Sequence, residues 1–201
     1  TMTIRSTGPV GPRETLWVLG DQLNRRVGPL GDRSPGDCRV LLVESAAKLE
    51  SKRWHVQRAH LVVSAMNHFA EELRDEGFEV DYRRAPSLRR GLSEHRNEFG
   101  IGHVVAMEPM SWDGRAMLVE LGVQLVRNAQ FLCHYDDFAE WAAPRTHVKM
   151  EDFYRWQRTR VDVLMDGGQP AGGRWNFDHD NREPPPDDGR SWPSITRFDL
   201  D

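Results

Sequence analysis

Two hydrophobic patterns alternate along the chain. Short continuous apolar runs are separated by longer stretches in which apolar residues recur every three or four positions. Thr15-Leu16-Trp17-Val18-Leu19 stops at Gly20-Asp21, and Arg39-Val40-Leu41-Leu42-Val43 stops at Glu44-Ser45. Continuous rather than alternating apolar runs are what parallel strands covered on both faces require. Residues 52–76 carry Val62, Met66, Phe69 and Leu73 at helical steps, with Gly77 as the stop, which predicts a long helix packed on the sheet. Phe78-Glu79-Val80-Asp81-Tyr82 alternates as a strand, and residues 87–99 read as a charged helix capped by Ser87 and ended by Gly100. His103-Val104-Val105-Ala106-Met107 is a fourth strand ending at Glu108-Pro109. Residues 111–121 form a helix ended by Gly122, and Val123-Gln124-Leu125-Val126 a fifth strand. Strand and helix in regular alternation, joined by right-handed crossovers, predict an α/β fold with a Rossmann-like, doubly wound, five-stranded parallel sheet.

Beyond the fifth strand, residues 149–165 have helical spacing, with Met150, Phe153, Trp156 (or Tyr154), Val161 and Leu164 available for one face and Gly167-Gly168 as the end. From residue 168 on, Pro170, Gly172-Gly173, Pro184-Pro185-Pro186 and Pro193 predict an irregular linker. Gly8, Pro9, Gly11 and Pro12 make residues 1–13 a flexible arm. The expected organisation is therefore an arm at 1–13, an α/β domain at 14–166 and an extended linker at 167–201. Of 201 residues, 31 are acids and 27 are Lys or Arg. Residues 166–201 hold eight acids and four arginines, so the remaining 23 acids are balanced by 23 bases. A neutral body lacks the excess basic charge that drives nucleic-acid binding, so only indirect contact with DNA is expected. No run approaches the roughly 20 apolar residues of a membrane span, and no signal-peptide core is present, which points to the cytoplasm. Two cysteines, Cys38 and Cys133, supply neither a disulfide scaffold nor a four-thiolate metal site.

In an open parallel sheet the ligand crevice lies at the carboxyl ends of the strands, near the point where strand order reverses. Asp21, Glu44 and Glu108 end three strands there. With Gln22 they would offer acceptors and one amide to a small polar ligand; the plain alternative is strand ends entering solvent. A dinucleotide site is disfavoured, because Gly20-Asp21-Gln22-Leu23-Asn24 has one glycine where a pyrophosphate turn uses three, and Asp21 repels phosphate. His55, His60 and His68 lack metal-ligand spacing and read as solvated or capping side chains. His134-Tyr135-Asp136-Asp137 and Asp178-His179-Asp180 read as solvated loops, Arg83-Arg84 and Arg89-Arg90 as a solvated face, and the seven tryptophans chiefly as packing. No persuasive nucleophile or acid–base set stands out.

Several segments occur together in order: Gly20-Asp21-Gln22-Leu23, Glu44, Ser64-Ala65-Met66-Asn67-His68-Phe69-Ala70-Glu71-Glu72-Leu73, Met150-Glu151-Asp152-Phe153-Tyr154 and Gly172-Gly173-Arg174-Trp175-Asn176-Phe177-Asp178. Over about residues 15–183 the chain thereby resembles the deoxyribodipyrimidine photolyase-related proteins, the bacterial cryptochromes and (6-4) photolyases that carry an iron-sulfur cluster. The resemblance implies the α/β domain of photolyase N-terminal type, which holds the antenna pigment 6,7-dimethyl-8-ribityllumazine. It implies that Asp21, Gln22, Leu23, Glu44 and Glu108 face that pigment. FAD, the iron-sulfur cluster and damaged DNA are expected only in a helical domain that would follow. That domain, in the same or a separate chain, is the implied partner. One departure is that His55 is followed by Val56-Gln57-Arg58 where the family tends to be Lys-rich. The resulting expectation is a light-harvesting domain of light-driven DNA repair or photoreception that is not catalytic alone. The competing expectation is a ligand-free scaffold that docks a partner through residues 168–201, with Trp175, Phe177 and Trp192 exposed.

Overall fold

The computed structural model describes residues 14–182, 184, 187–191 and 193–197. The expected arm at 1–13 and Trp192 lie outside them. The described chain divides into two compact units on either side of the Glu140–Trp141 bond.

In the first unit, β1 (Glu14–Trp17), β2 (Arg39–Ser45), β3 (Glu79–Ala85), β4 (His103–Met107) and β5 (Gln124–Val126) form one sheet in the order β3-β2-β1-β4-β5. All four pairings are parallel. Strand order reverses at β1, so the switch point lies between β1 and β4. Helices α1 (Ala46–Glu50) and α2 (Val56–Asp75) join β2 to β3, α3 (Leu88–Phe99) joins β3 to β4, and α4 (Trp112–Glu120) joins β4 to β5.

Side-chain alternation along each strand makes two cores. Leu16, Val40, Leu42 and Val105 pack with Met66, Phe69, Ala70 and Leu73 of α2, while Trp17, Leu41, Val43, Val104 and Ala106 pack with Leu92 of α3 and Leu118 of α4. Burying one Leu or Phe side chain contributes roughly 1.5–3 kcal/mol, against about 0–1 kcal/mol for an exposed ion pair. The two apolar layers therefore hold the sheet. Cys38 is fully buried in the α2 layer, and burial pushes its thiol up to about 11, which leaves it unreactive. Among the described residues no helix is long and apolar enough to cross a membrane.

The long helix begins at Val56, later than the apolar spacing suggested, because the His55 ring accepts the Gln57 N–H and caps it (3.2 Å). The connection from β1 to β2 carries no helix. Arg25 braces it instead, with Nε donating to Glu76 (2.7 Å), Nη2 to the Arg33 carbonyl (2.8 Å) and the guanidinium lying over Phe78.

Helix α5 (Tyr135–Ala142) occupies a stretch that begins in a sequence read as loop. The second unit contains α6 (Met150–Val161), where Phe153 and Trp156 meet Trp141 with ring centroids 5.2 and 5.8 Å away. Asp162 ends α6 in the left-handed conformation, before the Gly167-Gly168 stop that was expected. Those glycines instead turn a hairpin between β6 (Met165–Asp166) and β7 (Gln169–Pro170), both at positive φ, as a tight hairpin turn demands. A 3-10 turn (Ala171–Gly173) and α7 (Asp178–Asn181) follow. The irregular linker expected from residue 168 on thus contains short regular elements, because Gly-Gly serves a hairpin as readily as it stops a helix. Arg158, buried at the end of α6, organises them by donating to the carbonyls of Val163, Leu164 and Trp175.

Candidate functional site

The carboxyl edge of the sheet is held together by amides. The Gln22 side chain, 4% exposed, donates from Nε2 to the carbonyls of Met107 (3.2 Å) and Glu108 (3.1 Å), bridging β1 to β4 across the switch point. Both partners only accept, so Nε2 must face them and Oε1 is left as the remaining acceptor. Asn128 Nδ2 donates to the same Glu108 carbonyl (2.8 Å), and Gln130 Nε2 donates to the Asp21 carbonyl (2.8 Å). The Asp21 side chain itself is exposed, and Leu23 packs against the core on the α2 side.

The two remaining acids diverge. Glu108, 8% exposed, accepts from His134 Nε2 (2.7 Å), the Tyr135 hydroxyl (2.8 Å) and Arg115 Nε of α4 (3.4 Å). Burial pushes its carboxyl up, but the hydrogen bonds from His134, Tyr135 and Arg115 outweigh that and hold it below its ordinary value. The Asp136 N–H lies 3.3 Å from His134 Nδ1, and Asp136 Oδ2 lies 3.2 Å from the same nitrogen. Glu44, at the end of β2, instead takes its partners on the α2 side. Its Oε2 accepts from the Tyr82 hydroxyl (2.8 Å) and Arg84 Nε (3.3 Å), and Asn67 Nδ2 of α2 donates to Tyr82 (3.0 Å). Gln22 and Glu108 are therefore brought together, Asp21 joins them through its backbone, and the Glu44 and Glu108 carboxylates turn to opposite faces of the sheet.

The α2 side of this edge is close-packed yet smooth. A Cβ on Gly20 would come within 3.0 Å of Met66 Sδ and 3.7 Å of Val62, so glycine lets the β1 turn pass under the helix. Glu44 Oε2, Tyr82 and Asn67 form a polar line beside these apolar groups. The Gln22 and Asn24 N–H groups are spent on Leu19 and Gln22 carbonyls, and no helix follows β1, so no phosphate cradle exists at this turn. Among the described residues no group of three or more His, Cys, Asp or Glu could hold a metal ion.

The basic doublets are neutralised where they stand. Arg83 pairs with Asp81 and Glu98, Arg84 with Glu44, Arg89 with Glu120 and Arg90 with Glu94. His134 and Tyr135, read from sequence as a solvated loop, are the main addition to the edge. The signal was present in Asp136-Asp137 followed by Phe138 and Trp141, an acidic first turn ahead of apolar residues at helical spacing. Tyr82 and Asn67 left no comparable trace, because strand alternation says nothing of where a phenol ends.

A Rossmann-like parallel sheet with an amide-bridged carboxyl edge defines the chain as an α/β domain. The chain matches the family described as deoxyribodipyrimidine photo-lyase-related protein over residues 16–201, and it belongs to that family. It is 34% identical over 183 residues to a (6-4) photolyase of Agrobacterium fabrum (strain C58 / ATCC 33970), covering 85% of this chain and 36% of that protein. It is also 22% identical over 145 residues to an uncharacterized protein of Acanthamoeba polyphaga mimivirus, covering 65% of this chain and 72% of that one. The chain thus spans about a third of the (6-4) photolyase and most of the viral protein.

Proposed function

We propose that this chain is an antenna domain of the photolyase-related type, which binds 6,7-dimethyl-8-ribityllumazine at the carboxyl edge of the sheet on the α2 side. The observation that carries the reading is the acceptor set of that edge. Glu44 and the Gln22 Oε1 are acceptors, Met66, Val62 and Leu23 are apolar, and the β1 turn lacks a phosphate cradle. That set suits a neutral heteroaromatic ring with an N–H and a hydroxylated chain, and it disfavours a nucleotide phosphate. The chemistry such a pigment supplies is absorption of light. The protein's part is to bind it, orient it and limit its contact with water. Leu23 and Glu44 would touch the ring, Asp21 and Gln22 the polar rim, and Glu108, held by His134 and Tyr135, would brace the rim from the other face. FAD, an iron-sulfur cluster and damaged DNA belong, on this reading, to a helical partner domain, and the role of the whole is light-driven DNA repair or photoreception. An absorption spectrum of the purified chain, with mass spectrometry of whatever heat releases, tests the proposal. A lumazine mass supports it, and a colourless protein that also fails to take up added 6,7-dimethyl-8-ribityllumazine contradicts it.

The docking reading draws on a separate observation. Met110, Trp112, Phe131 and Leu132, in the segments that follow β4 and β5, are all more than half exposed, and Trp112 is 82% exposed. Large apolar side chains left in water near one edge suit a protein partner. Replacing Trp112 and Leu132 with Ser should abolish any association seen by sedimentation. Unchanged association would count against this surface.

A further inference from the structure

The three-residue line Asn67, Tyr82 and Glu44 has a direction fixed by valence. Asn67 Nδ2 donates both to the Val63 carbonyl (2.8 Å) and to the Tyr82 oxygen (3.0 Å). A carbonyl only accepts, so Nδ2 cannot be exchanged with Oδ1, and the amide stands in one orientation. The Tyr82 oxygen, already accepting, has a single proton to give, and it gives it to Glu44 Oε2 (2.8 Å). Burial, and after it the hydrogen bond to Glu44 and the charge of that carboxylate, push the Tyr82 phenol well above its ordinary value, so the hydroxyl remains a donor across the physiological range. Arg84 Nε reaches the same Oε2 (3.3 Å). Both donors therefore converge on one oxygen of Glu44. Oε1 accepts from none of the described residues, and the side chain keeps 19% of its surface exposed.

We propose that Tyr82 and Asn67 are positioning residues. They pin Glu44 by Oε2 and reserve Oε1 as a directed acceptor, so the site selects a ring that presents an N–H over one that does not. The inference rests on the antenna reading of this edge and adds its basis for specificity. A free carboxylate rotates and can satisfy either oxygen with water. A pinned one keeps its geometry before the ligand arrives, so less ordering is needed on binding and a wrong edge leaves Oε1 facing the ligand without a donor.

The test compares two probes, 6,7-dimethyl-8-ribityllumazine and its analogue methylated at the ring N3, titrated into the full chain and followed by ligand fluorescence. The wild type is expected to bind the N–H form at least about tenfold more tightly, the size of one hydrogen bond to a charged group. Tyr82→Phe removes only the hydroxyl, and Asn67→Asp offers the phenol a competing carboxylate. Both should reduce the ratio of the two affinities toward one, chiefly by weakening the N–H form. Because the ratio is taken within one protein, a general loss of folding does not move it. If the wild type prefers the N–H form and both variants keep the full preference, the positioning role is overturned while the antenna reading stands. If the wild type binds both probes equally, the directed acceptor is overturned. If it binds neither, the antenna reading itself fails, and this inference with it.

Discussion

Asp81 shows how much a single half-buried carboxylate does in this fold. Its Oδ2 accepts from His95 Nδ1 (2.6 Å) and Arg83 Nε (2.6 Å), and His95 Nε2 shares a second bond with the Thr15 hydroxyl (2.7 Å). His95 and Thr15 are fully buried, so this polar chain ties α3 and β3 to β1 from inside the core. Burial raises the Asp81 carboxyl, but the bonds from His95 and Arg83 outweigh it and hold the carboxyl below its ordinary 3.8. Glu108 is held below its ordinary 4.5 in the same way. A carboxyl depressed in the folded state contributes stability above its unfolded value and loses it as pH falls through the folded one. Denaturant titrations should therefore show stability falling as pH drops below about 4.5, and stability rising on acidification would contradict the assignment. Removing one partner of a fully buried pair costs about 3–5 kcal/mol, and less for the half-buried Asp81. Asp81→Asn should accordingly unfold at clearly lower denaturant at neutral pH and lose part of the acid dependence. None of this was legible in sequence. Asp81 and His95 read as a strand position and a charged helix, and only the fold shows them facing each other.

At the scale of elements, positions follow from apolar spacing, and ends follow from caps and close contacts. All five strands and α2, α3 and α4 were legible, because continuous apolar runs and three- to four-residue spacing are burial signals, whereas α1, which buries no residue, was not. Gly100 ends α3 at positive φ as its position suggested. The ends that moved did so for local reasons: His55 caps α2, and Asp162 takes the left-handed position at the end of α6. Gly91 is a sharper case. It lies inside α3, where alanine would raise helix propensity by up to about 1 kcal/mol. A Cβ there would come within 2.5 Å of Val43 Cγ1 and 3.0 Å of Cγ2. Overpacking typically costs about 1–3 kcal/mol, so the contact should win and Gly91→Ala should lower the thermal midpoint. A raised midpoint would mean that α3 can move off β2 at little cost. In the second unit, Arg158→Lys keeps the charge but loses the fork that spans three carbonyls. Proteolysis within residues 162–176 should then quicken, while cleavage within the α/β unit stays unchanged.

For the molecule as a whole, the strand order puts the switch point between β1 and β4, and Gln22 spans it. The turn and the acids ending the strands were legible as a polar edge. Their grouping was not, because a linear sequence does not say that Glu44 and Glu108 turn to opposite faces. The charge balance has its own consequence. With residues 1–165 neutral and Arg83, Arg84, Arg89 and Arg90 each paired to an acid, the chain should show no measurable binding to a labelled DNA duplex at about 0.15 M salt. Micromolar binding that weakens steeply with salt would contradict this. On the proposed reading, Glu44 holds a lumazine at the α2 side of the carboxyl edge. The most direct test is a titration of the chain and of Glu44→Ala with 6,7-dimethyl-8-ribityllumazine, read by absorption, with the thermal midpoints of both proteins measured alongside. Saturable uptake is expected of the wild type, and its loss in a Glu44→Ala protein that still unfolds cooperatively. Equal uptake by both proteins, or by neither, would contradict it.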